Sequence, residues 1–180
     1  SDNYFRIKRI NSFKKKYYQK NKKISLLDIG SGLGVFPYGI KKLSWKCASI
    51  DPDIDSVLHM KKDLKIKAIC GDFKNIRYKQ RFIFITLNKV LEHIDNPIKI
   101  LKKAKNNLKK NGFIYIEVPD AEQASKIGKS REEFFIDHLH VFSKKSLKLM
   151  CKNAGFKVIK IGRLLEPSGK FTLYSFVQSK

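Results

Sequence analysis

Three aspartates occur at regular intervals in the first half of the chain, each at the end of a short apolar segment. They are Asp28, Asp51 and Asp72, and three glycines alternate with other residues directly after the first of them, in "LLDIGSGLGVF" (26–36). Glycines between a strand and a helix let the backbone approach a ligand closely, because no Cβ intervenes. If the apolar segments are parallel strands, the carboxylates meet at one edge of the sheet, where open α/β sheets bind ligands.

The residues around the glycine-rich turn constrain the ligand. The dinucleotide fingerprint G-x-G-x-x-G needs a third glycine where this chain has Val35, and Asp28 would repel a pyrophosphate. A carboxylate there suits a ligand with a cationic end. Asp51 follows the turn by about twenty residues, where a carboxylate can accept both hydroxyls of a ribose. The pattern predicts a ligand with an adenosine-like ribose and a positive charge, and without phosphates.

Hydrophobic periodicity predicts alternating strands and helices around these residues. A basic amphipathic helix over 4–20 comes first. The predicted strands are 23–29, 46–51, 66–72, 81–88 and 113–118, and the predicted helices are 34–43, 54–62 and one that begins at Pro97 and ends at Asn111-Gly112. This alternation predicts a parallel sheet with helices on both faces.

The pattern changes after residue 118. Residues 119–142 are predicted as an inserted loop, Ser143 as a helix cap, and the remainder as two antiparallel strands around Pro167-Ser168-Gly169. The predicted fold is therefore α/β and Rossmann-like, with a mostly parallel seven-stranded sheet and an antiparallel C-terminal hairpin. We divide a single domain, 1–180, into four parts: a basic N-terminal helix (1–22), a cofactor-binding half (23–118), an acceptor-side loop (119–142) and a C-terminal helix with hairpin (143–180).

Six motifs in order resemble the class I S-adenosylmethionine-dependent methyltransferases. The resemblance covers residues 24–178 and rests on "LLDIGSGLGVF", "SIDPD", "CGDF", "LNKVLEHIDNP", "LKKNGFIYIEVPD" and "DHLHVFSKKSLKLMCKNAGF". The last motif is similar to that of members that modify sugars, lipids and other small metabolites. Where members often have Glu or Ser, this chain has Lys89, which places a positive charge near the pocket mouth or in solvent.

The resemblance implies a role for each matching residue toward S-adenosylmethionine and its product S-adenosylhomocysteine. Gly30, Ser31, Gly32 and Gly34 would surround the methionine portion, with Asp28 beside its amino end and Asn88 along its side. Asp51, followed by Pro52, would hold the ribose, and Asp72 with Phe73 would meet the adenine. From the residues alone, Asp51 and Asp72 could instead serve as turn residues.

The segment "DHLHVF" (137–142) supplies the candidate catalytic residues, His138 and His140. Imidazole accepts protons near neutral pH, and residues two apart in an extended segment face the same side. Both histidines could therefore face the acceptor, or both could tie the loop to the sheet. No third ligand for a two-histidine metal site is evident, so we predict no metal.

We expect methyl transfer to a small acceptor, in the first place a hydroxyl of a sugar or glycan precursor. The net charge of +23 leaves two alternatives: an anionic acceptor, or RNA or another nucleic acid as substrate. The lysines are scattered, however, and "LNKVLEH" is not the Asn/Asp-Pro-Pro-aromatic signature of amino-group methylation on bases. A cofactor-binding protein without catalysis is a third alternative.

The N-terminal helix could close over the site, or it could be a packed helix with a solvated basic face. Its cations include Arg6 and Arg9. The chain has no apolar run of the roughly 20 residues that a bilayer requires. Three cysteines without Cys-x-x-Cys spacing favour a reducing compartment, so we expect a cytoplasmic protein. The sequence does not indicate an oligomeric state.

Overall fold

The computed structural model describes residues 1–19, 23–128 and 130–180. Seven strands form one sheet in the order β3-β2-β1-β4-β5-β7-β6. The strands are β1 (Ser25–Ile29), β2 (Lys46–Asp51), β3 (Lys67–Cys70), β4 (Phe82–Asn88), β5 (Leu108–Pro119), β6 (Phe156–Leu165) and β7 (Phe171–Ser179). The helices are α1 (Asp2–Tyr17), α2 (Val35–Lys41), α3 (Ile54–Lys62), α4 (Pro97–Asn106), α5 (Ala121–Ala124) and α6 (Lys144–Asn153).

The predicted fold class is confirmed. The first five strands pair in parallel, and β7 runs antiparallel between β5 and β6. Strand β1 is buried along its whole length, as is β4 up to Asn88. Parallel strands covered on both faces read as continuous apolar runs, which is why these two segments were recognisable from the sequence.

Two hydrophobic clusters hold helices against opposite faces of the sheet. One joins α4 and α6 to Ile114 and Ile116 of β5. The other joins α1 and α2 to aromatic residues on alternate positions of the same strand, and here Phe13 of α1 stacks on Phe176 with ring centroids 3.7 Å apart. Successive side chains of β5 therefore point to opposite faces of the sheet and join the two clusters in turn.

Helix α4 ends earlier than the sequence predicts. It begins at Pro97 with Asn96 as its cap, as predicted, but ends at Asn106 instead of at Asn111-Gly112. Leu108 continues the helical spacing of apolar residues, yet it pairs with Phe82 and opens β5. Asn107 fixes this change of structure, because its side-chain amide donates to the carbonyls of Tyr78 and Gln80.

The C-terminal elements follow the sequence prediction. Ser143 caps α6 in a reciprocal capping box with Ser146. The hairpin between β6 and β7 turns at Gly169, whose φ of 87° favours glycine. Of the predicted N-terminal segment 1–22, residues 20–22 lie outside the described part of the chain, and so does Lys129 of the segment 119–142.

Candidate functional site

The site lies where the chain reverses direction across the sheet. Strand β1 pairs with β2 on one side and with β4 on the other, so the turns after β1 and β4 diverge at the carboxyl edge. This point in a doubly wound sheet is the usual place for a ligand. Asp28 and Asp51 lie at this edge, on β1 and β2, together with Asn88 at the end of β4.

The turn after β1 depends on its glycines. Gly30, Gly32 and Gly34 all have φ between 50° and 77°. A Cβ on Gly30 would lie 2.5 Å from the side chain of Val90, whereas one on Gly32 would meet nothing within 4 Å. Gly32 therefore faces open space, where its backbone can approach a ligand. Ser31 stabilises the turn by donating its hydroxyl to the carbonyl of Asp28 at 3.1 Å.

Asp28 is a buried carboxylate held by two neutral donors. Thr86 Oγ1 donates to Asp28 Oδ1 at 2.6 Å and Asn88 Nδ2 donates to the same atom at 3.0 Å. Burial raises the pKa of Asp28 to about 7, against the lowering effect of the Thr86 hydrogen bond. The amide oxygen of Asn88 is buried without a hydrogen-bond partner among the described residues. Thr86 was not singled out from the sequence, because a threonine within an apolar strand carries no distinctive pattern.

Asp51 connects the glycine-rich turn to β2. Its Oδ2 accepts the backbone N–H of Gly32 at 2.7 Å, and its Oδ1 accepts the N–H of Asp53 at 2.9 Å. Each oxygen keeps a second lone pair for a ligand hydroxyl. The following Pro52 is exposed, and its carbonyl faces the Cys70 thiol at 3.5 Å. Asp53 caps α3 through the N–H groups of Asp55 and Ser56.

Asp72 and Phe73 follow β3 in the turn beyond its end. Asp72 accepts the N–H of Lys74 at 2.8 Å and pairs with the Lys74 ammonium at 3.1 Å. Although partial burial acts to raise the pKa of Asp72, these contacts lower it. Asp72 also lines a cavity of about 400 Å³ with His93. Phe73 packs into the core and is only 4% exposed, so its ring offers little surface to a ligand.

A second cavity, of about 250 Å³, lies beside β4 and brings Glu92, His93 and His138 together. Glu92 is 1% exposed, and neither of its carboxylate oxygens has a hydrogen-bond partner in the described part of the chain. Burial raises the pKa of Glu92, while the charge of Lys89 acts to lower it. The rings of His93 and His138 lie edge to face, with centroids 4.9 Å apart. Glu92 and His93 were recognisable only through the "LEH" motif.

His138 and His140 lie in different surroundings. His138 Nδ1 is 3.0 Å from the carbonyl of Glu133, and the ring lines the cavity with Glu92. His140 Nε2 is 2.9 Å from the carbonyl of Ile94, and its ring lines a separate groove. The segment is not an extended strand, since the N–H groups of Leu139 and His140 both reach the carbonyl of Glu92. Residues two apart therefore do not face the same side here.

Helix α1 is attached to the sheet by buried charges as well as by its apolar side. Glu117 of β5 accepts hydrogen bonds from Arg6 Nε at 2.7 Å and from Arg9 Nη1 at 2.9 Å. Lys89 joins this group through Glu166, at 3.6 Å, and through the Thr172 hydroxyl. Lys89 therefore turns inward instead of into solvent. In the sequence, Glu117 inside the apolar segment "FIYIEV" indicates a buried carboxylate on β5, and a buried carboxylate requires a cationic partner.

Comparison with known proteins assigns the chain to a family. Residues 3–161 match the family model described as "Methyltransferase domain". This chain belongs to that family. The resemblance found in the sequence is thereby confirmed for the methyltransferase family. None of the helices in the described ranges has the length and apolar character to cross a membrane.

Two curated relatives of this methyltransferase domain are longer than the chain. An uncharacterised protein, MJ1123 of Methanocaldococcus jannaschii, is 34% identical over 143 residues, which are 74% of this chain and 65% of the relative. The mitochondrial ubiquinone biosynthesis O-methyltransferase of Candida albicans is 27% identical over 103 residues, 52% of this chain and 32% of that enzyme. The chain thus spans 65% of the first relative's length and 32% of the second's.

A solved structure shares the fold of the methyltransferase domain at low identity. The plantazolicin methyltransferase BpumL, in complex with a triazolic desmethylPZN analog and SAH, superposes with a TM-score of 0.81 at 17% identity. The superposition covers 99% of this chain and 85% of BpumL.

Proposed function

We propose that this methyltransferase domain binds S-adenosylmethionine and transfers its methyl group to a small acceptor. The observation that carries this proposal is the pair formed by Asp28 and Asn88. A buried carboxylate with a pKa near 7 and a buried amide oxygen without a partner lie together at the end of β4. Both groups are hydrogen-bond acceptors, so a cationic amine with several N–H donors complements them.

The remaining cofactor contacts follow the predicted set. Backbone at Gly30, Ser31, Gly32 and Gly34 would surround the methionine portion, and Asp51 beside Pro52 would hold the ribose hydroxyls. We propose that Asp72, which lines the cavity of about 400 Å³, contacts the adenine there. Phe73 would support the adenine region from the core, since its ring is covered.

We propose a hydroxyl of a sugar or glycan precursor as the acceptor, at the cavity beside β4. The nitrogen of His138 that faces the Glu133 carbonyl must carry a proton, because a carbonyl only accepts. The other nitrogen, Nε2, is then free to take a proton. In the reaction the acceptor oxygen bonds to the methyl carbon, the carbon–sulfur bond electrons stay on sulfur, and the hydroxyl proton passes to His138 Nε2. We assign His140 to holding the loop.

The charge of the cavity favours a neutral polyhydroxy acceptor over a polyanion. Its walls carry the carboxylates of Glu92, Glu132, Glu133 and Asp137, against two lysines, Lys89 and Lys170. Phosphate-rich chains would be repelled there, whatever the net charge of the whole molecule. The relatives include a cypemycin N-terminal methyltransferase as well as an O-methyltransferase, so the hydroxyl acceptor is proposed from the cavity and not from the relatives.

We also propose the organisation that the sequence suggested. Residues 1–180 would act as one unit, with 23–118 holding the cofactor, 119–142 on the acceptor side and 143–180 completing the sheet. We further propose the cytoplasm as its location, because all three cysteines, Cys47, Cys70 and Cys151, are free thiols.

Two measurements test the proposed function. Calorimetry should show that S-adenosylhomocysteine binds with one site per chain, and a panel of acceptors with methyl-labelled cofactor should show turnover on uncharged sugars and glycosides in preference to nucleotide-linked sugars. Peptide amines and RNA serve as comparison acceptors. Cofactor binding without turnover on any acceptor would favour a non-catalytic binding protein, and salt-sensitive turnover on RNA would favour the nucleic-acid alternative.

A further inference from the structure

We propose that Glu92, His93 and His138 form a binding site for a divalent transition-metal ion of the zinc class. Each residue offers one ligand atom, and these atoms lie within 4.8 Å of one another. The three side chains line the same cavity beside β4, so an ion bound there would be open to a small oxygen ligand. No metal was predicted from the sequence, because Glu92 and His93 lie far from His138 along the chain.

The hydrogen bonds of both imidazole rings fix tautomers that suit coordination. His93 Nδ1 is 3.0 Å from the carbonyl of Asp137, and His138 Nδ1 is 3.0 Å from the carbonyl of Glu133. Each Nδ1 must therefore donate a proton, which leaves each Nε2 with a free lone pair. Metal-bound histidines usually have this arrangement, in which the second ring nitrogen donates to a carbonyl and fixes the tautomer.

Glu92 provides the independent observation that points to a cation. It is 1% exposed, lines this cavity, and neither carboxylate oxygen has a partner within the described ranges. A buried carboxylate without partners is costly unless it is neutralised. The Lys89 ammonium could compensate it, but that ammonium is engaged with Glu166 and with Thr172. A divalent ion between the two rings would supply the missing charge.

The donor set favours zinc over magnesium. Two imidazole nitrogens and one carboxylate oxygen are ligands for zinc and its neighbours in the first transition row, whereas magnesium prefers oxygen donors alone. Tetrahedral zinc with bonds of about 2.0–2.1 Å sets its ligand atoms roughly 3.4 Å apart. Ligand atoms up to 4.8 Å apart would have to approach by up to about 1.4 Å, and His93, whose side chain is 40% exposed, has room to move.

Metal binding goes beyond the proposed function and does not depend on the acceptor. The proton-accepting role proposed for His138 belongs to the metal-free protein, because a lone pair that binds a metal cannot also accept a proton. In the metal-bound protein the ion would lower the pKa of a coordinated acceptor hydroxyl, whose proton would pass to water. Measuring metal and cofactor binding on the same samples separates the two ideas.

The test uses the full chain without a histidine tag, stripped with a chelator and dialysed. Zn²⁺ is titrated calorimetrically, and Co²⁺ is followed by its visible absorption. We expect one ion per chain. Glu92→Gln and His138→Gln should each lower the Zn²⁺ affinity roughly 100-fold or more, because losing a ligand should cost at least as much as losing a hydrogen-bond partner of a ligand. The matched controls His140→Gln and His59→Gln should bind the ion as the unchanged protein does.

S-adenosylhomocysteine affinity and melting temperature are measured for every variant, to show that each is folded. The proposal is overturned if the folded protein takes up no Zn²⁺ at micromolar concentration, or if Glu92→Gln and His138→Gln bind it unchanged. It is also overturned if His140→Gln weakens binding as much as His138→Gln does. In each of these cases the cofactor titration still reports independently on the proposed methyltransferase function.

Discussion

The carboxylate of Asp51 accepts the backbone N–H of Gly32 at 2.7 Å, which joins the end of β2 to the middle of the glycine-rich turn after β1. The same carboxylate accepts the N–H of Asp53 at the entrance of α3. The turn is therefore fixed before a ligand arrives. Such preorganisation lowers the ordering cost of binding.

Replacing Asp51 by alanine should weaken S-adenosylhomocysteine binding by at least about 100-fold. The change removes the proposed charge-assisted hydrogen bonds to the ribose, each on the order of 1.5–3 kcal/mol, and it also releases the Gly32 turn. Isothermal titration calorimetry measures the affinity. Asp63→Asn is the matched control, because Asp63 is exposed and pairs only with His59 on the surface of α3 among its described contacts. Equal affinity in the Asp51→Ala and Asp63→Asn proteins would remove the ribose assignment.

The raised pKa of Asp28 should make stability depend on pH in an unusual direction. Its pKa is about 7 in the folded protein, against 3.8 as the ordinary value, so the folded state binds the proton more tightly. The contribution of the protonated Asp28 to the free energy of unfolding is complete below about pH 4 and is lost as the pH rises through 7. The total loss is up to about 4 kcal/mol. Denaturant unfolding of the ligand-free protein at pH 5 and pH 8 measures the part of this loss that falls above pH 5, about 3 kcal/mol.

Asp28→Asn provides the comparison, because an amide oxygen can still accept from Thr86 and Asn88. The free energy of unfolding of the variant should depend less on pH. Between pH 5 and pH 8 the variant should therefore become more stable relative to the unchanged protein. Parallel stability curves would show that Asp28 keeps its ordinary pKa in the folded chain.

Most of the sheet was predictable from the sequence, and the contacts that complete the site were not. Asp28 and Asp51 lie at strand ends, where apolar runs and glycines mark the edge of a parallel sheet. The Glu92 cluster depends on a loop of irregular backbone that returns over β4, and hydrophobic periodicity contains no signal for such a path. The end of α4 was missed for a related reason: Leu108 fits a helical spacing and a strand pairing equally well.

Removing Arg6 should destabilise the protein by about 3 kcal/mol. Arg6 and Arg9 together neutralise Glu117, which is fully buried, so Arg6→Met leaves a buried carboxylate with only one of its two arginines. Lys8→Met is the control on the exposed side of α1 and should change stability by less than about 0.5 kcal/mol. Chemical denaturation compares the two. Equal stability of both variants would mean that α1 is held by its apolar contacts alone.

Replacing His138 should affect mainly turnover, and replacing His140 should affect mainly stability. His138 lines the cavity with Glu92 and has a free Nε2, so His138→Ala should lower turnover by roughly 100-fold or more while cofactor affinity stays unchanged. His140 contacts the Ile94 carbonyl outside that cavity, so His140→Ala should cost about 1 kcal/mol of stability and have a much smaller effect on turnover. Steady-state rates with a saturating acceptor, together with melting curves, measure both effects. Wild-type turnover in His138→Ala, with a hydroxyl acceptor, would transfer the proton-accepting role to Glu92 or His93.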